Sequence, residues 1–202
     1  MRAGAFVRYH SGDELGHVGW AFDVGDGRVN AGSVENHSGH VFSPSTDDGF
    51  WTAIVDHPAR PMRERTYDDV KYCDLPDDAC DPVRAYRVVL WIKTQAYRAA
   101  LRNCEDDVYD VLRAYGVRNL PAPVLHWLPN RWFTVFDGVC VPVGELNWDP
   151  KSTRASTPAD PVAIEDLTPL RPPWRHPLRI EFHLFHVAKT VELVRAKIFR
   201  RR

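Results

Sequence analysis

The alternation of hydrophobic and polar residues predicts β-structure at the start of the chain. The stretch GAFVRYH predicts a short strand. The stretch HVGWAFDVGDGRVNAGSVEN predicts two antiparallel strands joined at Asp26-Gly27, a dipeptide that type I′ hairpin turns favour. Centring the hairpin on this turn puts His17 opposite Asn36, and Asp23 opposite Asn30 on the same face of the sheet.

Shorter elements are predicted further along the chain, separated by polar segments. A short helix is expected around Trp51–Val55, and the stretch RAYRVVLWIK predicts a strand over Arg84–Lys93. The stretch TQAYRAAL, which follows it, predicts a short helix. The segments LPAPVLHWLPNRWF and DGVCVPVG are punctuated by prolines and are expected to form loops with short strands or helices.

The strongest helix signal is the stretch RNCEDDVYDVLRAYG. Asn103 is a good N-cap, Asp106 stands where a capping-box acid would reach back to it, and Gly116 suits a left-handed C-cap. This pattern puts Cys104 in the first turn. Apolar residues recur between the caps at the spacing of one helical face: Cys104, Val108, Val111, Leu112 and Tyr115.

The last third of the chain differs in composition. Prolines recur between Asn147 and Pro177, which predicts an extended connector without packing of its own. Beyond it, Arg179–Arg202 carries apolar residues in steps of three and four, as on an amphipathic helix. The predicted organisation is therefore a domain at 1–146, a connector at 147–177 and a basic helix at 178–202.

Charge is unevenly distributed, although the net charge is only −1. Residues 171–202 hold nine Lys/Arg and two Asp/Glu, a net +7, whereas residues 1–170 hold 17 and 25, a net −8. A basic end on an acidic body indicates a contact with an anionic protein or membrane surface. Nucleic acid is not expected as a partner, because the basic residues are confined to one end and are not interleaved with stacking aromatics.

The sequence also favours a particular compartment. Its first residues lack the apolar core of a signal peptide, and no run is long enough to span a membrane. The four cysteines show no regular spacing, which favours a reducing compartment over a disulfide framework. We therefore expect a cytoplasmic protein, with export by a non-classical route still open.

Cys104 is the first candidate for chemistry. The unpaired N–H groups and the macrodipole at a helix start favour a thiolate. The neighbouring charges of Glu105, Asp106 and Asp107 oppose it. A lone cysteine in this position is more often packing than nucleophile, so the functional interpretation requires a partner.

Among nine histidines, His17 is the candidate partner. A histidine facing an amide across a sheet has one ring nitrogen oriented, and the other can accept a thiol proton. The pairing argument selects Asn36 as the orienting residue, with Glu35 and Asn30 as alternatives. Glu35 should point to the other face of the sheet unless a bulge intervenes. The alternative interpretation of His17 is a polar residue at a strand end.

A metal site is not expected. Cys73 and Cys80 are farther apart than zinc ligands usually are, and no paired His or Cys cluster follows them. The acidic stretches lack the pattern of a calcium loop, and no phosphate-binding glycine loop is present. We therefore expect no metal and no cofactor.

Three short motifs together carry a family resemblance: the strand start HVGWA, the turn VGDG, and the helix start NCE some seventy residues downstream. They resemble the circularly permuted papain-like superfamily, which includes lecithin:retinol acyltransferase-like enzymes and NlpC-type amidases and peptidases. The resemblance implies an α+β fold with an antiparallel sheet packed on a cysteine-bearing helix, here with a C-terminal helical extension. It also implies Cys104 as nucleophile, His17 as base and a polar orienter on the neighbouring strand.

One position departs from the family pattern. Acyltransferase-like relatives have a histidine a few residues after the turn, where this chain reads Asn30-Ala31-Gly32. The expected function is a cysteine-dependent hydrolase of the peptidase, amidase or thioesterase type, working through a thioester on a peptide, amide or acyl substrate. Acyl transfer remains an alternative. A further alternative is a catalytically silent interaction module that docks through its basic C-terminal helix.

Overall fold

The computed structural model describes residues 1–11, 15–35, 49–95, 102–123, 125–126, 128–149 and 167–173. Within them the chain forms an α+β fold around one antiparallel sheet with the strand order β4-β3-β2-β1-β5-β6, which confirms the predicted fold class at that level. The strands are β1 (Arg2–Arg8), β2 (His17–Gly25), β3 (Arg28–Val34), β4 (Phe50–Val55), β5 (Asp69–Asp74) and β6 (Val139–Pro142). The helices are α1 (Ala59–Glu64), α2 (Pro82–Lys93), α3 (Cys104–Tyr115) and α4 (Pro129–Val135), with short 3₁₀ turns at Asp77–Ala79 and Val143–Glu145.

Both faces of the sheet are covered, and alternation along each strand decides which side chains go to which face. One face, the helix face, packs against α2, α3 and α4 and receives Val18, Trp20 and Phe22 from β2. The other face receives Phe6 and Ala21 and is covered by α1 and by the segment Val143–Asp149. We call that segment the strap and that face the strap face.

The hairpin turn is confirmed. Asp26 and Gly27 have φ angles of 49° and 79°, both positive, as a type I′ turn requires. The predicted register is wrong by one residue, because an irregularity between Asp23 and Gly25 shifts the pairing. Asp23 pairs with Val29, and Asn30 pairs instead with Phe22. Extending this register to the start of β2 places His17 opposite Glu35.

The interpretation of Arg84–Lys93 as a strand is wrong, since these residues lie in α2. The helix begins where the Asp81 carboxylate accepts a hydrogen bond from the backbone N–H of Arg84 at 2.8 Å, and Pro82 occupies the first turn. Its buried residues recur at helical rather than strand spacing: Ala85, Val88, Val89 and Ile92.

The predicted helix around Trp51–Val55 is also wrong. These residues belong to β4, and each residue of that strand pairs with one of β3. The stretch FWTAIV is rich in aromatic and β-branched residues, which fit a pleated surface. Pairing with β3, which the local sequence of β4 does not reveal, decides that these residues form a strand.

The helix α3 follows the prediction closely. Asn103 Oδ1 accepts from the backbone N–H of Asp106 at 3.3 Å, and Asp106 Oδ2 accepts from that of Asn103 at 3.1 Å. The rings of Tyr115 and Phe22 lie 5.2 Å apart, which places the end of α3 near the hairpin end of β2. Twelve helical residues span about 18 Å, and α3 packs on β2.

Part of the predicted connector is packed. Trp148 is only 1% exposed, and Arg87 of α2 donates through Nε to the carbonyl of Thr168 at 2.9 Å. The backbone N–H of Leu170 donates to the carbonyl of Arg87 at 2.9 Å. The expectation of an unpacked connector therefore fails at these positions, whereas the predicted helix at 178–202 lies outside the described residues. In the described part of the chain, no helix has both the length and the apolarity needed to cross a membrane.

Candidate functional site

Cys104 lies in the first turn of α3 and is buried, with 2% of its surface exposed. It belongs to the apolar cluster of the helix face, together with Val18 and Trp20 of β2 and with Val108 one turn along its own helix. The thiol is not part of a disulfide. Its position at a capped helix start agrees with the predicted nucleophile, and its surroundings are those of a core residue.

Acidic side chains are buried beside Cys104. Glu105 and Asp107 are both fully buried. Asp107 Oδ1 lies 2.5 Å from Nη2 of Arg102, whose guanidinium lies 5.3 Å from the centre of the Trp91 ring. Carboxylates in the first turn of a helix interact favourably with its macrodipole, which stabilises α3.

His17 is buried at the start of β2, and its contacts lie on the strap face. Its Nε2 is 2.6 Å from Oγ of Ser33, and that hydroxyl donates to the carbonyl of Val18 at 3.0 Å. His17 and Ser33 thus share a hydrogen bond whose direction depends on the tautomer of the imidazole. The ring of Tyr67 lies 5.9 Å away, centre to centre. These contacts fix the imidazole among structural groups.

Glu35 lies on the same face as His17, as the shifted register requires. Its Oε1 accepts from the hydroxyl of Tyr67 at 3.1 Å, and its Oε2 lies 3.4 Å from Nη2 of Arg8. The Arg8 guanidinium also lies over the Tyr67 ring, 5.4 Å from its centre. Burial and, to a smaller extent, the charge of Glu35 raise the pKa of Tyr67 well above its ordinary value, so that this group stays a neutral donor. The carboxylate of Glu35 is thus engaged by Tyr67 and Arg8.

The other two candidates for the orienting role are placed differently. Asn30 stands on the helix face, where its Oδ1 accepts from Nε1 of Trp20 at 2.9 Å and its Nδ2 donates to Oγ1 of Thr52 at 2.8 Å. These bonds tie β2 to β3 and β4, and they commit the amide to the sheet. Asn36 lies outside the described residues.

Cys104 and His17 approach β2 from opposite sides. His17 pairs with Arg8 and points to the strap face, where it meets Ser33. Val18, the next residue, points to the helix face and packs in the same cluster as Cys104. Along β2, His17 and Val18 therefore point to opposite faces, and Val18 shares its apolar cluster with Cys104. The structure brings His17 together with Ser33 and Tyr67 on the strap face.

Sequence reasoning missed Ser33, Tyr67 and Arg8. Ser33 stands two residues before Glu35 and therefore shares its face, which would have been visible once the bulge near Asp23 was known. Tyr67 and Arg8 reach the cluster from elsewhere in the chain, and no local pattern marks them.

Metal binding finds no support in the described part of the chain. No group of three or more His, Cys, Asp or Glu side chains there is arranged to hold an ion. Sγ of Cys73 lies 3.5 Å from the carbonyl of Ala3. Burial, with smaller contributions from Asp74 and Cys80, raises the pKa of Cys73 to about 11, which keeps this thiol protonated near neutral pH.

Comparison with known proteins identifies no relative: no family model, no curated protein and no solved structure matches this chain.

Proposed function

We propose that this chain is an interaction module of the papain-like type that works without thiol turnover. The proposal is supported by the place of His17 beside Ser33 and Tyr67 on the strap face, and by the place of Cys104 in the apolar cluster of the helix face. Proton transfer from a thiol requires a base within hydrogen-bond reach of the sulfur. Nε2 of His17 instead shares a hydrogen bond with Oγ of Ser33 on the strap face.

The docking element of the proposal is the basic end of the chain. Residues 171–202 carry a net +7 against −8 in the rest of the chain, and such a segregated charge favours approach to an anionic surface. The partner we propose is an anionic surface, on a protein or a membrane, recognised by charge and by the apolar stripe of the predicted C-terminal helix.

A cysteine-dependent hydrolase or acyltransferase is the second candidate. It is favoured by the place of Cys104, in the first turn of a capped helix that packs on β2. In that reaction the Cys104 proton would pass to a base, and the sulfur would attack an acyl carbon. The leaving group would depart with the proton, and water or another acceptor would cleave the thioester. For His17 to be that base, its side chain would have to leave Ser33 and move to the helix face.

Site-resolved alkylation separates the two candidates. The four cysteines are labelled with iodoacetamide near neutral pH, and the rate at each position is followed by mass spectrometry. Because Cys104 is buried and Cys140 is exposed, we expect Cys140 to react fastest and Cys104 slowest. In His17→Ala, we expect Cys104 to be labelled at the wild-type rate, apart from the increase that any loss of stability causes. His10→Ala, at an exposed histidine, is the matched control.

The opposite pattern would overturn the proposal. Faster labelling of Cys104 than of Cys140, lost in His17→Ala and kept in His10→Ala, would establish the thiol–imidazole pair. The docking element is tested separately, by cosedimentation of the full chain with vesicles containing phosphatidylserine and with vesicles of phosphatidylcholine alone. Charge reversal of Arg200–Arg202 to Glu should reduce binding to the anionic vesicles; if the chain binds neither kind, an anionic membrane is not the partner.

A further inference from the structure

The strap is held to the strap face through Trp148. The side chain is 1% exposed, and its ring centre lies 5.8 Å from that of Tyr72. Its Nε1 donates to Oδ1 of Asp23 at 2.8 Å. Its backbone N–H points at Nε2 of His57, 3.3 Å away, in the loop before α1. One tryptophan thus joins the strap to the sheet and to that loop.

Both ring nitrogens of His57 face backbone donors. In addition to the Trp148 contact at Nε2, the backbone N–H of Ala59 points at Nδ1 from 3.2 Å. A neutral imidazole has a lone pair on one ring nitrogen and can accept one of these bonds, according to its tautomer. An imidazolium has no lone pair on either ring nitrogen. Both of its N–H groups would then point at backbone N–H groups, which can only donate. Protonation of His57 is therefore incompatible with this arrangement.

The surroundings of His57 also favour the neutral imidazole. The ring is half-buried, and burial, together with the positive charge of Arg63 on α1, lowers the pKa of His57. The strap itself carries two carboxylates, Glu145 and Asp149, both exposed. Asp23 beneath the strap is engaged by the Trp148 indole and by the backbone N–H of Arg2 at 2.6 Å. Asp56, beside His57 in the loop, is exposed. The neutral ring is thus the form that fits its surroundings.

We propose that a neutral His57 imidazole holds the strap to the loop before α1, so that a fall in pH makes Val143–Asp149 open from the strap face more often. Release withdraws Trp148 from its place beside Tyr72 and exposes the apolar residues beneath it, among them Phe6 and Ala21. The latch depends on the neutral ring and on the strap, and not on Cys104 or on a docking partner.

Amide hydrogen exchange tests the latch in the full chain. The exchange of the Trp148 amide and of peptides covering 143–149 is measured at neutral and at mildly acidic pH, each corrected for the intrinsic rate. One hydrogen bond contributes about 1 kcal/mol, so we expect the strap to open about fivefold more often at the acidic pH. His57→Gln retains an acceptor that takes up no proton, and its strap should exchange equally at both pH values. His10→Gln, at an exposed histidine, should keep the wild-type response.

Two results would overturn the latch. The first is equal protection of the strap at both pH values in the wild-type chain. The second is a wild-type response retained in His57→Gln, which would assign the pH dependence to another group such as Asp23. If a variant fails to fold, the comparison of wild-type exchange at the two pH values still tests the latch.

Discussion

Replacing Ser33 with Ala tests whether His17 is a structural residue. The Ser33 side chain is fully buried, and its hydroxyl shares a hydrogen bond with His17 Nε2 at 2.6 Å and donates to the carbonyl of Val18 at 3.0 Å. Ser33→Ala removes both bonds and adds no bulk. Each bond contributes about 1 kcal/mol, and a buried donor left without its partner costs about 1–3 kcal/mol. We therefore expect a loss of about 2–3 kcal/mol in the free energy of unfolding.

Urea denaturation measures this loss, with Thr134→Ala as the control. Thr134 is exposed and donates to the carbonyl of Asn130 within its own helix, so its removal should change the free energy of unfolding by less than about 0.5 kcal/mol. Alkylation of Cys104 is followed in the same samples under native conditions. If Ser33→Ala is as stable as the wild type and Cys104 labelling falls, Ser33 orients a catalytic histidine and our structural interpretation of His17 fails.

The remaining predictions concern the caps of α3, the pH dependence of stability and the buried tryptophan. Asn103→Ala breaks the capping box and should cost about 1 kcal/mol by urea denaturation; a cost no larger than that of Asn119→Ala, at an exposed position, would contradict the cap. Gly116→Ala should cost more than about 1 kcal/mol, because φ is 125° and a Cβ would lie 2.0 Å from the carbonyl oxygen of Ala79; a neutral result would contradict this backbone geometry. Because the pKa of His57 is lowered in the folded chain, the unfolded chain binds the proton more readily. The contribution of His57 to stability is therefore present above the ordinary value of 6.5 and is lost as the pH falls from there through the folded-state pKa; equal pH dependence in His57→Gln would contradict it. Trp148→Phe removes the donor to Asp23 and should lower the melting temperature more at neutral than at acidic pH, because the ionised carboxylate is the stronger acceptor; an equal loss at both would exclude that bond as the cause.

Local signals in the sequence were sufficient for the turn and for α3. A type I′ turn needs two adjacent residues with positive φ, and Asp26-Gly27 supplies them in the sequence itself. The capping box is equally local, because Asn103 and Asp106 are three residues apart. Both predictions held because the residues that decide them are neighbours in the chain.

The predictions that failed depended on distant contacts. The irregularity between Asp23 and Gly25 has no strong signature in the sequence, yet a shift of one residue changes which side chains share a face. The β-branched and aromatic residues of α2 favour a strand locally, and packing of its apolar side against α3 overrides that preference. The partners of His17 follow from this register and from Tyr67, which lies fifty residues further along the chain.

Our central proposal is that His17 and Cys104 are engaged on opposite faces of the sheet and do not form a thiol–imidazole pair. Nitrogen NMR of labelled histidines tests it most directly, by following the His17 ring in the wild type, in Cys104→Ala and in Ser33→Ala across a pH titration. We predict that the Nε2 signal of His17 and its titration are the same in Cys104→Ala as in the wild type, and that both change in Ser33→Ala. A His17 titration that shifts in Cys104→Ala and is unaffected in Ser33→Ala would contradict the separation.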